Sequence, residues 1–304
     1  MRHRSRRELV RTNVACFIGT FRQFCGRCRR FDAQVVTLTF LIPVRHPANA
    51  SDWSRLKANL TQTVRSIAGQ TNGDWRALII ANSGSDLPPL PQRFAVEWVD
   101  FPPNQLHDRD SSSSRDDFLD AFRIDKGRRV LKGMLRARDT QFYMIVDDDD
   151  FVSANIVQFV ADHRQANGWT IDRGYVWDDG GTILYRHHHF NHVCGSSLIV
   201  RSDLYELPQT FEDAAPDYIK NMLGSHRRIA TLLAERGAPL SSLPFPGAIY
   251  RVGHAGSHSQ TPPILKKYLF SREIMLRPHH FVKNLTRLRF VDAPARREFF
   301  GANT

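Results

Sequence analysis

The stretch Gln141-Phe-Tyr-Met-Ile-Val-Asp147-Asp148-Asp149-Asp150-Phe-Val-Ser153 constrains this chain more than any other. Phe142 to Val146 is short and continuously apolar, the pattern of a strand buried on both faces of a parallel sheet. It runs straight into four carboxylates, which repel one another and lose solvent together at the end of such a strand. A divalent cation relieves both costs, and hard oxygen ligands suit Mg²⁺ or Mn²⁺. In open α/β sheets ligands bind outside the carboxyl ends of the strands, where these acids fall. The competing reading is a solvated acidic turn. The junction with a buried-strand pattern favours a metal site that grips a phosphorylated substrate.

With 304 residues and a hydrophobic fraction of 41%, the chain can bury a sizeable core and is not wholly disordered. No stretch approaches the roughly 20 apolar residues of a membrane span. Val14 to Ile18 is too short and too Arg-flanked for a signal peptide. The four Cys (16, 25, 28 and 194) make no disulfide framework, so a cytoplasmic chain is the expectation. Cys25-Gly-Arg-Cys28 lacks the second ligand pair of a zinc site. Residues 1–31 hold nine Arg against one Glu, which is eight of the eleven net positive charges. Interleaved with Phe17, Ile18, Phe21 and Phe24, this arm (1–33) suits an anionic membrane surface, or is a solvated tail. Peripheral attachment at the inner face of the cell membrane follows from the first reading. No recognisable nucleic-acid module is present, and no nucleic-acid partner is expected.

Beyond the arm, Val35 to Ile42 reads as a buried strand closed by Pro43. Ser51 or Asp52 caps a helix with Leu56, Leu60, Val64 and Ile67 on one face. Trp75 to Ile80 and Ala95 to Phe101 are further strands, so the start is a βαβ unit with a parallel sheet. Residues 102–117 read as a surface loop, and a basic helix follows over about 125–138. Lys126, Arg128 and Arg129 near its start either meet phosphate or form a solvated face. Ser153 caps a helix that ends near Gly168, and Asp178-Asp-Gly-Gly181 joins a hairpin. His187, His188, His189 and His192 read as partly substrate-lining. One helix is expected from Pro216 to Glu235, with Gly237 at its C′ position. His226 then shares the apolar face of Met222 and Ile229, where a His is commonly a core residue. From Pro263 the chain is basic and amphipathic, either packed on the body or lying on lipid.

Over about residues 35–260 the order and spacing of these features resemble the GT-A glycosyltransferases of the family-2 type, including their rhamnosyltransferase branch. Val36 to Pro43 looks like the family's first strand, and Ser66-Ile-Ala-Gly-Gln70-Thr71 like its following helix end. Asn82-Ser83-Gly84-Ser85 stands where the family has Asp-Asp-Gly-Ser, and Asp147 to Asp150 matches its Asp-x-Asp-Asp motif. Gly195 to Arg201 and Arg251-Val-Gly-His254 resemble its later strands. The resemblance implies an α/β GT-A domain over 34–260, a Rossmann-like mixed sheet flanked by helices. Its nucleotide half is 34–152 and its acceptor half 153–260, followed by a helical extension over 261–304. It further implies hexosyl or deoxyhexosyl transfer, with inversion, from a nucleotide-sugar donor to a glycan, polysaccharide or lipid-linked acceptor.

Carried over residue by residue, the resemblance assigns the donor to Pro43, Arg45, Asn82, Ser83, Lys126, Arg129, Asp147 and Asp148. It assigns Mn²⁺ or Mg²⁺ to Asp147, Asp149, Asp150 and His254. Two positions depart from the family. Asn82 replaces a uracil-contacting Asp, and an amide accepts from a ring N–H without charge. The family's base lies eleven residues before the glycine of an Arg-Gly turn, and counting back from Gly237 gives His226. A His near pKa 6.5 is a competent general base; Asp217 and the pair Glu212-Asp213 are the carboxylate alternatives. A metal-dependent phosphohydrolase and a basic nucleic-acid binder are the readings from other classes.

Overall fold

The computed structural model describes residues 35–106, 114–253 and 262–301. The basic arm with its Cys pair, residues 107–113 and His254 lie outside them. In chain order the elements begin β1 (Val36–Pro43), α1 (Trp53–Ala68), β2 (Trp75–Asn82), β3 (Phe94–Val99), α2 (Arg115–Arg136) and β4 (Thr140–Ile145). Then come β5 (Phe151–Val152), α3 (Ile156–Asp162), β6 (Gly168–Thr170), β7 (Arg173–Asp178), β8 (Ile183–His188) and β9 (Leu198–Arg201). One sheet has the order β6-β9-β4-β1-β2-β3, in which β1 to β4 are parallel and β9 is antiparallel to both its neighbours. This is the mixed sheet flanked by helices expected from the sequence.

Leu41 pairs with Leu78 on one side and Ile145 on the other, which sets Pro43 and Asp147 along the same carboxyl edge. Alternation across β1 sends Leu38, Phe40 and Ile42 to one face, with α1 and α3, and Leu41 to the other, with α2. Asp52 caps α1 by accepting from the Arg55 N–H at 2.9 Å. Ser114 caps α2 by accepting from the Asp117 N–H at 3.1 Å. This cap starts α2 ten residues earlier than expected, inside the stretch read as loop. Ser153 does not cap α3, whose N-cap is Asn155; it bonds Glu298 at 2.8 Å instead.

The long helix expected from Pro216 is broken. α4 (Pro216–Tyr218) passes into a π-helical turn, Ile219–Leu223, closed by the Gly224 N–H on the Ile219 carbonyl at 2.9 Å. α5 (His226–Glu235) then starts afresh. The cause is a close crossing with α2. A Cβ on Gly224 would stand 2.0 Å from the Arg123 carbonyl oxygen, and one on Gly127 would stand 2.2 Å from that of Ile219. His226 therefore opens a new helix and does not share the buried face of Met222.

A second sheet forms next to the first. β10 (Ser241–Ser242) extends the first sheet beside β6, and β11 (Ala248–Val252) joins the second, which includes β8, β7, β11 and β5 in that order. The chain ends with α6 (Ile264–Tyr268), α7 (Arg272–Met275), α8 (Pro278–Leu285), β12 (Leu288–Phe290) and α9 (Ala293–Phe299). β12 pairs antiparallel with β8, and α9 packs Ala295 and Phe299 on Phe151, Tyr175 and Trp177. The inner side of the extension is thus part of the body. Tyr268 stacks on Tyr185 at 3.9 Å, and Asn284 accepts from the Tyr185 hydroxyl at 2.9 Å.

His187 lies at this joint, edge-on to the Tyr268 ring. Burial, then the nearby charges of Lys267 and Arg287, push its pKa down to about 4. The unfolded chain binds the proton near pH 6.5, so the stability tied to neutral His187 is present above that value and is lost as pH falls towards 4. Thermal unfolding of the wild type should show this loss between pH 7 and 5, and His187→Phe should make it shallower, with His226 carrying a like share. An unchanged pH slope in the variant would place the sensitive group elsewhere.

Candidate active site

The acid run leaves β4 by a turn. The Val146 N–H still bonds the Leu41 carbonyl at 2.8 Å, and the Asp150 N–H then bonds that of Asp147 at 3.2 Å. The turn divides the four acids between the cleft and the interior. Asp147 and Asp149 are half-buried, whereas Asp148 and Asp150 are buried. Ser196 links the ends: its hydroxyl accepts from the Asp147 N–H at 2.8 Å and donates to Asp150 Oδ2 at 2.6 Å. The Cys194 thiol also donates to Asp150 Oδ2, at 3.2 Å, and Asp150 Oδ1 is buried without a partner. Burial, with the charges of Asp149 and Asp147, pushes Asp150 well above the usual carboxylate range. Asp148 is pushed up to about 6 by burial, with Arg45 opposing and Asp149 and Asp147 adding.

One positive charge already meets the run. Lys126 of α2 forms an ion pair with Asp147. Burial opposes the ammonium, but Asp147, then Asp150 and Cys194, carry it above the ordinary lysine value. The pair lies against the Cα of Gly195, where a Cβ would stand 2.3 Å from Asp147 Oδ2 and 3.0 Å from Lys126 Nζ. One turn on, buried Arg129 bonds Asp125 through two nitrogens at 3.2 and 3.1 Å and Asn82 Oδ1 at 2.7 Å. The Asn82 amide nitrogen donates to the Phe101 carbonyl at 2.7 Å, so both polar ends of Asn82 are engaged.

These groups border a cleft of about 360 Å³. Pro43 and Arg45 form one wall, and Asp147 to Asp149 the floor. The early turns of α2 supply Phe118, Leu119 and Phe122 with Arg115 and Arg123, and Gly224 to Arg227 close the far side. His226 therefore faces the same cleft as the acid run. Its Nε2 is buried without a hydrogen-bond partner. Burial, then the Lys126 charge, push its pKa down to about 4, with Asp147 opposing. Behind the run, the guanidinium of Arg251 is fully buried over Phe151 at 4.6 Å. It bonds Asn59 at 2.5 Å and Gln62 at 3.0 Å.

No protein-family model matches the chain, and no curated protein matches it in sequence. Among solved structures it is similar to S. aureus TarS, with a TM-score of 0.39 and 11% identity, covering 71% of this chain and 37% of that one. It is also similar to S. aureus TarS 1-349 in complex with UDP-GlcNAc, with a TM-score of 0.40 and 11% identity over 83% of this chain and 72% of that one. This chain thus spans little more than a third of the length of the first.

Of the residues singled out from sequence, Pro43, Arg45, Lys126, Arg129, Asp147, Asp148, Asp149 and His226 border this one cleft. Asn82, Ser83 and Asp150 do not, and neither does Asp217, whose side chain is 88% exposed and 3.8 Å from Lys220. Asp213 is spent on Thr210 at 2.8 Å. None of the four His from 187 to 192 borders the cleft; Val193 and Gly195 do. His254 lies outside the described residues. The sequence reading missed Arg115, which falls in the expected loop, and Phe118, Phe122 and Arg123, which fall between that loop and the expected start of the helix. The signal was available: Ser114 three residues before Asp117 is a capping pattern, and Phe118 and Phe122 are four apart.

The Gly195 contact is directly testable. Gly195→Ala forces the Lys126–Asp147 pair apart and should destabilise the fold by about 1–3 kcal/mol in chemical denaturation. Asp147→Ala removes the clashing carboxylate, so the double variant should lose less than the sum of the two singles. Additive losses would show that Gly195 does not serve to admit the pair.

Proposed function

We propose that this chain transfers a sugar from a nucleotide-sugar donor to an acceptor hydroxyl on a glycan, a polysaccharide or a lipid-linked chain, with inversion. The observation that carries the proposal is the meeting, in one cleft, of an acid run, a basic rim and an unpartnered neutral imidazole. Arg45, Arg115 and Arg123 offer positive charge to a diphosphate, and Phe118, Leu119 and Phe122 offer an apolar wall beside it.

Among the described residues no three His, Cys, Asp or Glu side chains converge as a ready metal cage. Mg²⁺ and Mn²⁺ at phosphates do not need one, because one or two carboxylates and the substrate's own oxygens complete the shell. The donor set fits that mode. Asp147, Asp148 and Asp149 line the cleft with Asp150 behind them, and the run is short of positive charge, as the unpartnered Asp150 Oδ1 and the raised Asp148 both indicate. When bound there, the ion would neutralise the departing diphosphate.

The chain's own residues do the rest. The acceptor oxygen attacks the anomeric carbon from the face opposite the leaving diphosphate, so one C–O bond forms as the other breaks. The hydroxyl proton goes to Nε2 of His226, which is neutral at pH 7. Lys126 keeps a positive charge beside the phosphates throughout. The phosphohydrolase alternative uses the same cleft with water in place of the acceptor.

A panel of nucleotide-sugars, screened by thermal shift with and without Mn²⁺, should yield at least one that raises the melting temperature only with the ion. With that donor, Asp149→Ala should abolish turnover while keeping the wild-type melting temperature without ligand. His226→Asn should lower kcat by about 10² to 10⁴. Wild-type turnover by Asp149→Ala would end the metal assignment, and wild-type turnover by His226→Asn would end its role as base. Donor cleavage indifferent to any acceptor would select the hydrolase reading.

A further inference from the structure

The C-terminal extension has two unlike sides. Its inner side is spent on the body: Ile264 and Leu269 are buried, and Tyr268 and Asn284 are locked to Tyr185. Its outer side is the reverse of a normal protein surface. Among the described residues nine large apolar side chains are exposed, and seven of them fall between 265 and 290. Phe270 is 58% exposed, Val282 60%, Leu276 73% and Phe290 73%. Such residues scattered singly are ordinary, but a concentration in one short segment marks an interaction face.

The charge on the same segment selects what covers that face. From Ile264 to Phe290 the chain carries seven Lys and Arg against the single acid Glu273. Lys266, Arg272, Arg277 and Lys283 are exposed alongside the apolar side chains. A second copy of this chain seated on the face would bring the four exposed Lys and Arg against the same four, so self-pairing is opposed by charge. An anionic bilayer accepts both components, with Phe, Leu and Met entering the acyl boundary while Lys and Arg remain among the headgroups. Helices as short as α6, α7 and α8 give a face that lies on a surface, and no helix among the described residues is long and apolar enough to cross a membrane.

We infer that the outer face of residues 265–290 docks on an anionic phospholipid bilayer through Phe270, Leu276, Val282 and Phe290 framed by Lys and Arg. The contact is independent of the cleft and does not rest on the transferase reading. It also differs from attachment by the basic arm, which would survive loss of the apolar residues of the extension.

The test uses the full chain and co-sedimentation with phosphatidylcholine vesicles, with or without phosphatidylglycerol. The wild type should bind the anionic vesicles only, and salt should weaken but not abolish binding. Phe270→Ser with Leu276→Ser and Phe290→Ser should weaken the partition by about tenfold or more. Its unfolding transition and its thermal shift with nucleotide-sugars should stay as in the wild type. Lys266→Glu with Lys283→Glu should weaken binding in a separate variant. Undiminished binding by the apolar triple variant would overturn the proposal and assign any vesicle binding to the arm. So would equal binding to neutral vesicles, or a dimer in light scattering that the triple variant abolishes.

Discussion

Four consecutive carboxylates at the end of a buried strand need positive charge nearby, and the Lys126–Asp147 pair is one place where this fold supplies it, with Arg45 and Arg251 also acting on the run. Much of the surrounding architecture serves that contact. Leu41 in register with Ile145 brings the run to the carboxyl edge of the sheet. The turn from Asp147 to Asp150 sends alternate acids inward, and Ser196 and Cys194 engage one oxygen of Asp150 from below. Gly195 leaves room for the ion pair by having no side chain. The run remains under-neutralised even so, because burial and mutual repulsion hold Asp148 and Asp150 above the ordinary carboxylate range.

The second constraint is the crossing of α2 with the π-helical turn. Two glycines, Gly127 and Gly224, allow the backbones to touch in both directions. The crossing places Lys126 and His226, distant in sequence, on the same cleft, and explains why one expected helix is two. A π turn costs regular hydrogen bonding and recurs at functional sites. Here its effect is to re-aim the first residue of α5.

The parts of the fold legible in sequence are those whose signals are local. β1, β2 and β4 are largely buried and read as mainly apolar runs despite Thr37, Thr39 and Arg76, and the hairpin of β7 and β8 announces itself by Asp178-Asp-Gly-Gly181. The start of α2 was hidden because acids and serines dominate its first turn, and the apolar Phe118 and Phe122 looked incidental. The break at Gly224 is a tertiary effect, since nothing in Ile219 to Glu235 forbids a continuous helix except the approach of Arg123. The pairing of β5 with β11 involves only two residues, Phe151 and Val152, and has no periodicity to read. At the site, residue type found the acids, Lys126 and His226. Asn82 ends β2 without bordering the cleft, and both ends of its amide are engaged by Arg129 and Phe101, which its residue type does not reveal.

The electrostatics of the cleft connect these observations in the proposed reaction. With Lys126 nearby and little solvent, neutral His226 is a weak base, and the acids behind the run hold protons more tightly than free carboxylates do. In the proposed reaction a cation at Asp149 would lower the proton affinity of the acids, and a diphosphate beside His226 would raise that of the imidazole. In that reading the cation and the diphosphate attract each other directly, so each would strengthen the binding of the other by the same factor. The imidazole would then gain basicity when the donor is in place. A base tuned by its own substrate would confine proton transfer to the loaded cleft.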